Sequence, residues 1–226
     1  MFLLLVLDST QLSSTGKGRL NFSRLCRLLI SLGSKALRET FNRIILPQNL
    51  QRTLKRNPGH SKLQSRRKEG ILSSIQWSKL YPTTPSEVSS ASFDIHLLMV
   101  LLRTICDLSP PPAGWDTPPL REDNSCESDV VRLKYFLNAV SRHAGEGSVN
   151  DAVFSNYWEQ IRDALVRLGG ADYENTIDEM KNQDMDSLDE EHFRELLKQW
   201  KKMEDNIKDK LNELENEEAY KVAGEL

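Results

Sequence analysis

The chain has 226 residues, 38% of them hydrophobic, which is enough to bury one core of about 150 residues and carry an extension. Its three cysteines are too few and too scattered for a disulfide framework, so the composition excludes a disulfide-stapled fold and favours a reducing, cytoplasmic setting. The formal net charge is −3, yet bases outnumber acids by 14 to 3 in residues 1–70, and acids outnumber bases by 18 to 8 in residues 171–226. Such asymmetry is typical of a nucleic-acid face at one end, or of two ends that neutralise each other within or between molecules.

The N-terminal part is predicted to be a flexible lead-in followed by a helix. Residues 1–20 form the lead-in, whose later half is polar and contains glycine. Its apolar opening, FLLLVL, is shorter than a signal peptide and has no basic residue before it. From Asn21, apolar residues recur at helical spacing as far as Pro47, which predicts one long helix or two nearly collinear ones.

A basic segment follows, with seven Lys or Arg residues and no acid between residues 52 and 68. On a helix, such a cluster can neutralise several phosphates of a nucleic acid. The alternative is a solvated basic face without a ligand, and the segment contains no interleaved aromatic residue for base stacking. The predicted nucleic-acid-binding residues in it are Arg52, Lys55, Arg56, Lys62, Arg66, Arg67 and Lys68.

The stretch from Ile95 to Ile105 is predicted to be the central buried helix. Its only strongly polar side chains are His96 and Arg103, so the helix is apolar nearly all the way round. Ser92 is the predicted cap of this helix, and three prolines beginning at Pro110 prevent its continuation. We expect no membrane partner, because the stretch is well short of the roughly 20 residues that span a bilayer. His96 is expected to be a hydrogen-bonded core side chain.

Helical patterns continue to the end of the chain, and no strand pattern occurs. One predicted helix begins at Ser125 and ends near His143, and the next runs from Asn150 to a stop at Gly169. In the acidic residues 171–226, apolar side chains recur at steps of three and four, which predicts a long amphipathic helix. That spacing suits packing on the bundle or on a neighbouring copy, or a coiled coil with a partner.

Several segments occur together in the order and at the spacing of one family. They are NFSRLCRLLISLGSKALRETFNRI, LPQNL, QWSKLYP, FDIHLLMVLLRTICDLSPPPAGWD, DVVRLKYFLNAVSRHA and FSNYWEQIRDALVRLGG. The sequence resembles the HEPN (higher eukaryotes and prokaryotes nucleotide-binding) domain of the kind found in the DAZ-interacting zinc-finger ubiquitin ligase. The resemblance covers 21–170 and implies an all-α antiparallel bundle of about five helices, commonly dimeric, to which the acidic helical extension 171–226 is added.

The resemblance also implies a site. In the wider superfamily an arginine, a polar residue and, a few positions on, a histidine cleave RNA without metal, and Asn138 and His143 match the last two. Leu137 stands at the arginine position. A leucine cannot stabilise the charge that builds on the phosphate, so the motif is degenerate, and the chain is expected not to be an enzyme unless Arg142 or Arg132 substitutes. Arg142 is also a predicted nucleic-acid-binding residue.

Three functions remain open on the sequence alone. The first is an RNA-binding domain with a weakened ribonuclease motif, acting as a regulatory module in a ubiquitin-ligase or innate-immune system. The second is an adaptor that dimerises and docks other protein domains through its C-terminal helix. The third is an active metal-independent endoribonuclease. No cofactor is expected, and no metal, because no His, Cys or carboxylate group has metal-ligand spacing.

Overall fold

A computed structural model describes residues 16–183 and 186–224, apart from the side chains of 187, 211 and 214–224. Across that part of the chain there is no strand, which confirms the all-α prediction. The first helices are α1 (16–27), a π-helical turn (Leu28–Gly33), α2 (Ser34–Ile44), α3 (Leu50–Lys55), α4 (Gly59–Lys68) and α5 (Ser74–Leu80). The later ones are α6 (Ile95–Ile105), α7 (Cys126–Ser141), α8 (Asp151–Gly169), α9 (Asp172–Asn182) and the long C-terminal α10 (Ser187–Gly224).

The bundle is divided more finely than the sequence pattern indicated. The basic segment forms two helices, because Pro58 lacks a backbone donor and separates α3 from α4. Short 3₁₀ turns lie in the connections at Pro47–Asn49, Pro85–Glu87 and Ser90–Ser92. None of the helices in the described ranges is both long and apolar enough to cross a membrane.

The chain forms two compact units. Unit 1 contains the described residues of Met1–Leu37 and Pro110–Trp200. Unit 2 contains those of Arg38–Ser109 and Lys201–Leu226.

The core of unit 1 is built by α7, α8 and the π-helical turn. The turn packs against both helices and buries Leu28, Leu29 and Leu32. On α8, Trp158 and Ile161 are almost fully buried. Burying a side chain of this size contributes about 1.5–3 kcal/mol relative to leaving it exposed, so these helices account for much of the stability of the unit.

Local capping fixes where α7 and α8 begin, as the sequence predicted. The Ser125 hydroxyl accepts a hydrogen bond from the Ser128 amide at 3.2 Å. Asn150 Oδ1 accepts one from the Val153 amide at 3.0 Å. Each cap satisfies an amide that has no partner within its own helix, and such a cap is typically worth about 1 kcal/mol.

The end of the predicted lead-in is already ordered in unit 1. Residues 16–20 are helical, and the Gly18 carbonyl accepts a hydrogen bond from the Val149 amide at 2.9 Å. A Cβ on Gly18 would lie 2.2 Å from Ser148 Oγ, so a larger residue there would force the Ser148 hydroxyl to move. Hydrogen bonds from Lys17 and Asn21 lower the pKa of Asp151. The earlier part of the lead-in, residues 1–15, lies outside the described residues.

Unit 1 also includes α9 and the first part of α10. Tyr173 and Ile177 of α9 are buried, and Ile177 is fully enclosed. On α10, Leu197 and Trp200 are buried as well. The start of the C-terminal amphipathic helix therefore packs on the bundle, which is one of the arrangements its apolar spacing predicted.

The core of unit 2 is centred on α6, whose Leu97, Leu98, Leu101 and Leu102 are fully buried. Its cap differs from the prediction, because the Asp94 carboxylate rather than Ser92 accepts a hydrogen bond from the Leu97 amide, at 2.9 Å.

His96 is buried in unit 2 and has a polar partner. Its Nδ1 lies 3.1 Å from Gln76 Nε2 on α5, which confirms that it is a hydrogen-bonded core side chain. Gln76 also caps α5 reciprocally with Ser73 and donates a hydrogen bond to Asp94 Oδ1 at 3.0 Å. The same amide group therefore ties the start of α5 to the start of α6.

Candidate nucleic-acid-binding surface

The seven basic residues lie on α3, α4 and the residue that follows α3, and the side chains of all seven are exposed. We call this set, from Arg52 to Lys68, the basic surface. Leu63 is the buried residue of α4 and anchors that helix to the unit. Arg66 is paired with Glu69, with Nη1 and Oε2 2.7 Å apart, so part of the charge at the end of α4 is already neutralised.

An aromatic group borders the basic surface within unit 2. The guanidinium carbon of Arg67 lies 4.7 Å from the centroid of the Trp77 ring, which is cation–π geometry. The Tyr81 ring also contacts Trp77, with centroids 4.5 Å apart and an interplanar angle of 38°. Sequence reasoning found no aromatic residue inside the segment, and the structure supplies two from α5 and its end.

Tyr81 links the three helices of this region. Its hydroxyl donates a hydrogen bond to the Leu54 carbonyl of α3 at 2.8 Å. It also lies 2.8 Å from His60 Nδ1 of α4, so the phenol oxygen accepts when that nitrogen carries the proton. Burial raises the pKa of Tyr81 to about 12, and the phenol therefore remains a neutral donor at physiological pH.

The degenerate motif lies in unit 1, on the last turns of α7 and just beyond. Leu137, at the arginine position, is fully buried in the core. Asn138 Oδ1 accepts a hydrogen bond from Trp200 Nε1 of α10 at 2.7 Å. His143 is half-buried in the turn after the helix, and its backbone amide bonds the Val140 carbonyl at 2.9 Å.

The motif residues do not contact each other directly. Within the described ranges, no hydrogen bond or ion pair joins Asn138, Arg142 and His143. Arg142 is exposed at the end of α7. Positions 138 and 143 are five residues apart, about 140° around an ideal helix, so the helix itself does not direct these two side chains to one point.

Arg132, the other candidate for the missing cation, is buried. It bonds the fully buried carboxylate of Asp129 and donates two hydrogen bonds of 2.9 Å to the carbonyls of Leu120 and Asp123. These contacts commit its guanidinium to the loop before α7. Arg132 therefore cannot supply the cation that Leu137 lacks.

Asp129 has a second arginine partner that the sequence did not reveal. Arg167 of α8 donates from Nε and Nη2 to its two carboxylate oxygens at 2.8 and 2.7 Å, a bidentate pair. These hydrogen bonds raise the pKa of Arg167. Asp129 lies in the first turn of α7, and only its spacing of three residues from Arg132 could have indicated a buried pair from the sequence.

A metal centre and a reactive thiol are two further kinds of site to compare with the described part of the chain. No group of three or more His, Cys, Asp or Glu side chains there could hold a metal ion. Burial raises the pKa of the Cys26 thiol, which makes it a poor nucleophile.

Helices throughout the described residues, together with the order of the segments around Asn138 and His143, define a helical domain of the HEPN class. Residues 47–193 match the sequence model described as DZIP3/hRUL138-like HEPN, and the chain belongs to this family. The match confirms the resemblance seen in the sequence.

Curated relatives place the domain in larger proteins. The mouse E3 ubiquitin-protein ligase DZIP3 is 26% identical over 174 residues, which is 75% of this chain and 13% of the mouse protein. Its human counterpart is 26% identical over 112 residues, or 50% of this chain and 9% of the human protein. The chain thus spans only a small part of these relatives. No solved structure matches it.

Proposed function

We propose that this chain is an RNA-binding HEPN domain that does not cleave RNA, and that it binds RNA through the basic surface on α3 and α4. The observation that carries the proposal is the exposure of all seven basic side chains on two short neighbouring helices. Exposed cations of this density release the counterions of a phosphate backbone, and that release drives non-specific nucleic-acid binding.

Three contacts in unit 1 support the absence of cleavage. The position of the motif's arginine is taken by a buried leucine, Leu137. Arg132 is committed to Asp129 and to loop carbonyls, and the Asn138 side chain is bonded to Trp200. His143 and Arg142 then remain as the groups through which this region could still contact RNA.

The cellular system that we propose for this domain rests on its curated relatives. The curated proteins that share this domain are named as E3 ubiquitin ligases, and the chain covers a small fraction of each. We therefore propose that the domain acts as a regulatory, RNA-responsive module in a cytoplasmic ubiquitin-ligase or innate-immune system. Its catalytic activity, in this proposal, comes from other domains or partners.

The test measures binding of a labelled 20-nucleotide RNA by fluorescence anisotropy between 50 and 200 mM salt. Replacing Arg66, Arg67 and Lys68 by alanine should weaken binding about tenfold at low salt and reduce the slope of log affinity against log salt by about 2. The control replaces three exposed lysines of α10, Lys198, Lys201 and Lys202, and should leave both quantities almost unchanged. Equal losses in the two variants, or no binding by the wild type at 50 mM salt, would overturn the proposal.

The same RNA also tests the ribonuclease alternative. RNA that stays intact during prolonged incubation with the wild-type protein would retire it. Cleavage that disappears in His143→Ala would instead establish it and would show that the leucine at position 137 is tolerated.

The second candidate is an adaptor that dimerises and docks protein partners through the C-terminal helix. One observation favours it: beyond Trp200, α10 carries the exposed acids Asp205 and Asp209 beside half-buried Met203 and Ile207. A mixed face of that kind suits a partner helix or a second copy. Light scattering of the full chain at micromolar concentration, with and without RNA, tests it, and a strict monomer in both samples would count against dimerisation.

A further inference from the structure

We infer that Arg67 and Trp77 form a stacking platform for one unpaired nucleobase, which makes single-stranded RNA the preferred ligand of the basic surface. The inference rests on the RNA binding proposed above and adds the class of RNA and the residues that select it. It concerns an aromatic contact outside the basic segment itself.

The platform consists of two aromatic rings and a guanidinium, all within unit 2. Tyr81 contacts the Trp77 ring at a centroid distance of 4.5 Å, and the Arg67 guanidinium carbon lies 4.7 Å from the same ring. Arg67 is exposed whereas Trp77 is half-buried. The guanidinium is therefore the exposed part of the platform, which we call its outer layer, and a planar group can reach it from solvent. The two rings are the inner layers.

The inner layers hold the outer one in place before any ligand arrives. Tyr81 is bonded to the Leu54 carbonyl and lies within hydrogen-bond distance of His60, so its ring is fixed against α3 and α4. Trp77 lies one turn earlier on α5, whose start is fixed by the reciprocal cap between Ser73 and Gln76. A preorganised surface pays less ordering entropy on binding than a set of mobile side chains.

The chemistry of the outer layer suits a nucleobase. A guanidinium is planar, delocalised and weakly hydrated, so it stacks on bases as well as on tryptophan. Arg66 and Lys68 flank Arg67 at about 100° on either side of α4, where they can contact the phosphates before and after a stacked base. A lysine ammonium at position 67 would keep the charge but would lose the flat stacking surface.

Single-stranded RNA satisfies this arrangement better than duplex RNA. In a duplex, each base is already stacked and paired, and only the phosphates and the shallow groove are accessible. In a single strand, a base can turn out and stack on a side chain, a contact worth about 5- to 150-fold in affinity. The platform therefore predicts a preference that charge alone would not produce.

The decisive experiment compares Arg67→Lys with the matched control Arg19→Lys. Both variants conserve charge at exposed helical positions, and Arg19 lies on α1, outside the basic surface. Anisotropy titrations use a 12-nucleotide single strand, a 12-base-pair RNA duplex and heparin, a polyanion without bases. We expect Arg67→Lys to weaken single-strand binding about tenfold. Its affinity for duplex and heparin should stay within about twofold, as should all affinities of Arg19→Lys.

The outcomes separate the two proposals. If the two variants bind the single strand equally and the wild type still binds RNA, the platform is overturned while RNA binding by the basic surface stands. If Arg67→Lys loses heparin binding as strongly as single-strand binding, the residue contributes charge only, and the platform is again overturned. If the wild type binds none of the three, RNA binding itself fails.

Fluorescence gives a second readout that does not depend on affinity. Stacking near an indole quenches its emission, so saturating single-stranded RNA should quench the wild-type protein. Trp77→Phe keeps an aromatic ring at this position and removes the reporter, so it should lose that quenching while other tryptophans remain. Undiminished quenching in Trp77→Phe would place the base elsewhere and overturn the platform.

Discussion

Two pairs of arginines, one pair in each unit, occupy contrasting environments. In unit 1, Arg132 and Arg167 bind the fully buried carboxylate of Asp129, and Arg132 is 5% exposed at its side chain. In unit 2, Arg66 and Arg67 are exposed on α4, and Glu69 pairs with Arg66. The arginines of the first pair are bound to a buried carboxylate, and those of the second pair face solvent.

Burial determines which of these arginines can bind a ligand. A buried guanidinium must be paired, because removing it from water costs several kcal/mol that only its partners offset. Such an arginine holds the fold and is not available to a ligand. An exposed guanidinium loses little when it exchanges water for a phosphate or a base. Burial therefore makes Arg132 part of the fold of unit 1, whereas Arg66 and Arg67 of unit 2 are accessible to a ligand.

The largest loss of stability is expected from Asp129→Asn. The substitution leaves Arg132 buried without its anionic partner, so we expect a loss of about 3–5 kcal/mol in the free energy of unfolding. Urea denaturation followed by circular dichroism measures it. The control is Asp205→Asn, which removes an exposed pair with Lys201 at 2.8 Å and should cost less than about 1 kcal/mol. Similar losses in both variants would contradict the structural role assigned to Asp129.

A smaller loss of stability is expected from Asn138→Ala, a substitution in the degenerate motif. The variant leaves Trp200 Nε1 without its acceptor, so the free energy of unfolding should fall by about 1–3 kcal/mol. Asn156→Ala removes an exposed helical asparagine that bonds only Gln160 nearby, and should stay within about 0.5 kcal/mol of the wild type. RNA affinity of folded Asn138→Ala should be unchanged. Full stability with lost RNA binding would instead make Asn138 a ligand contact.

Local signals in the sequence predicted much of the fold. The starts of α7 and α8 followed from Ser125 and Asn150, because a cap acts on amides two or three residues away. The burial of α6 followed from its apolar composition. Ile75 is apolar but 69% exposed, because a short stretch with few apolar residues does not specify which side faces the core.

The candidate site depended on contacts that no local pattern contains. Trp200 and Asn138 are 62 residues apart, and Arg167 and Asp129 are 38 apart, so neither pair has a periodic signature. The basic residues themselves were visible as a charge run. Their aromatic neighbour Trp77 was visible as a residue, but its contact with Arg67 arises only because α4 and α5 fold back together.

The smallest loss of stability is expected from Tyr81→Phe. This substitution removes the hydroxyl that links the end of α5 to α3 and α4 behind the basic surface. Loss of the hydrogen bond to Leu54 should cost about 1 kcal/mol at pH 8. The pKa of Tyr81 is raised to about 12, so the folded protein holds the phenol proton more tightly than the unfolded chain. The wild type should therefore lose stability as the pH rises from about 10, where an unfolded tyrosine ionises, towards 12.

Because lysines titrate in the same range, the informative quantity is the stability difference between the wild type and Tyr81→Phe in urea at pH 8, 10 and 11. The difference should shrink with rising pH, since the variant has no phenol to ionise at this position. The control Tyr135→Phe keeps Tyr81, so its stability should change with pH as that of the wild type does. A constant difference across the series would mean that Tyr81 ionises as easily in the folded protein as in the unfolded chain, and that the link behind the basic surface is looser than its hydrogen bonds indicate.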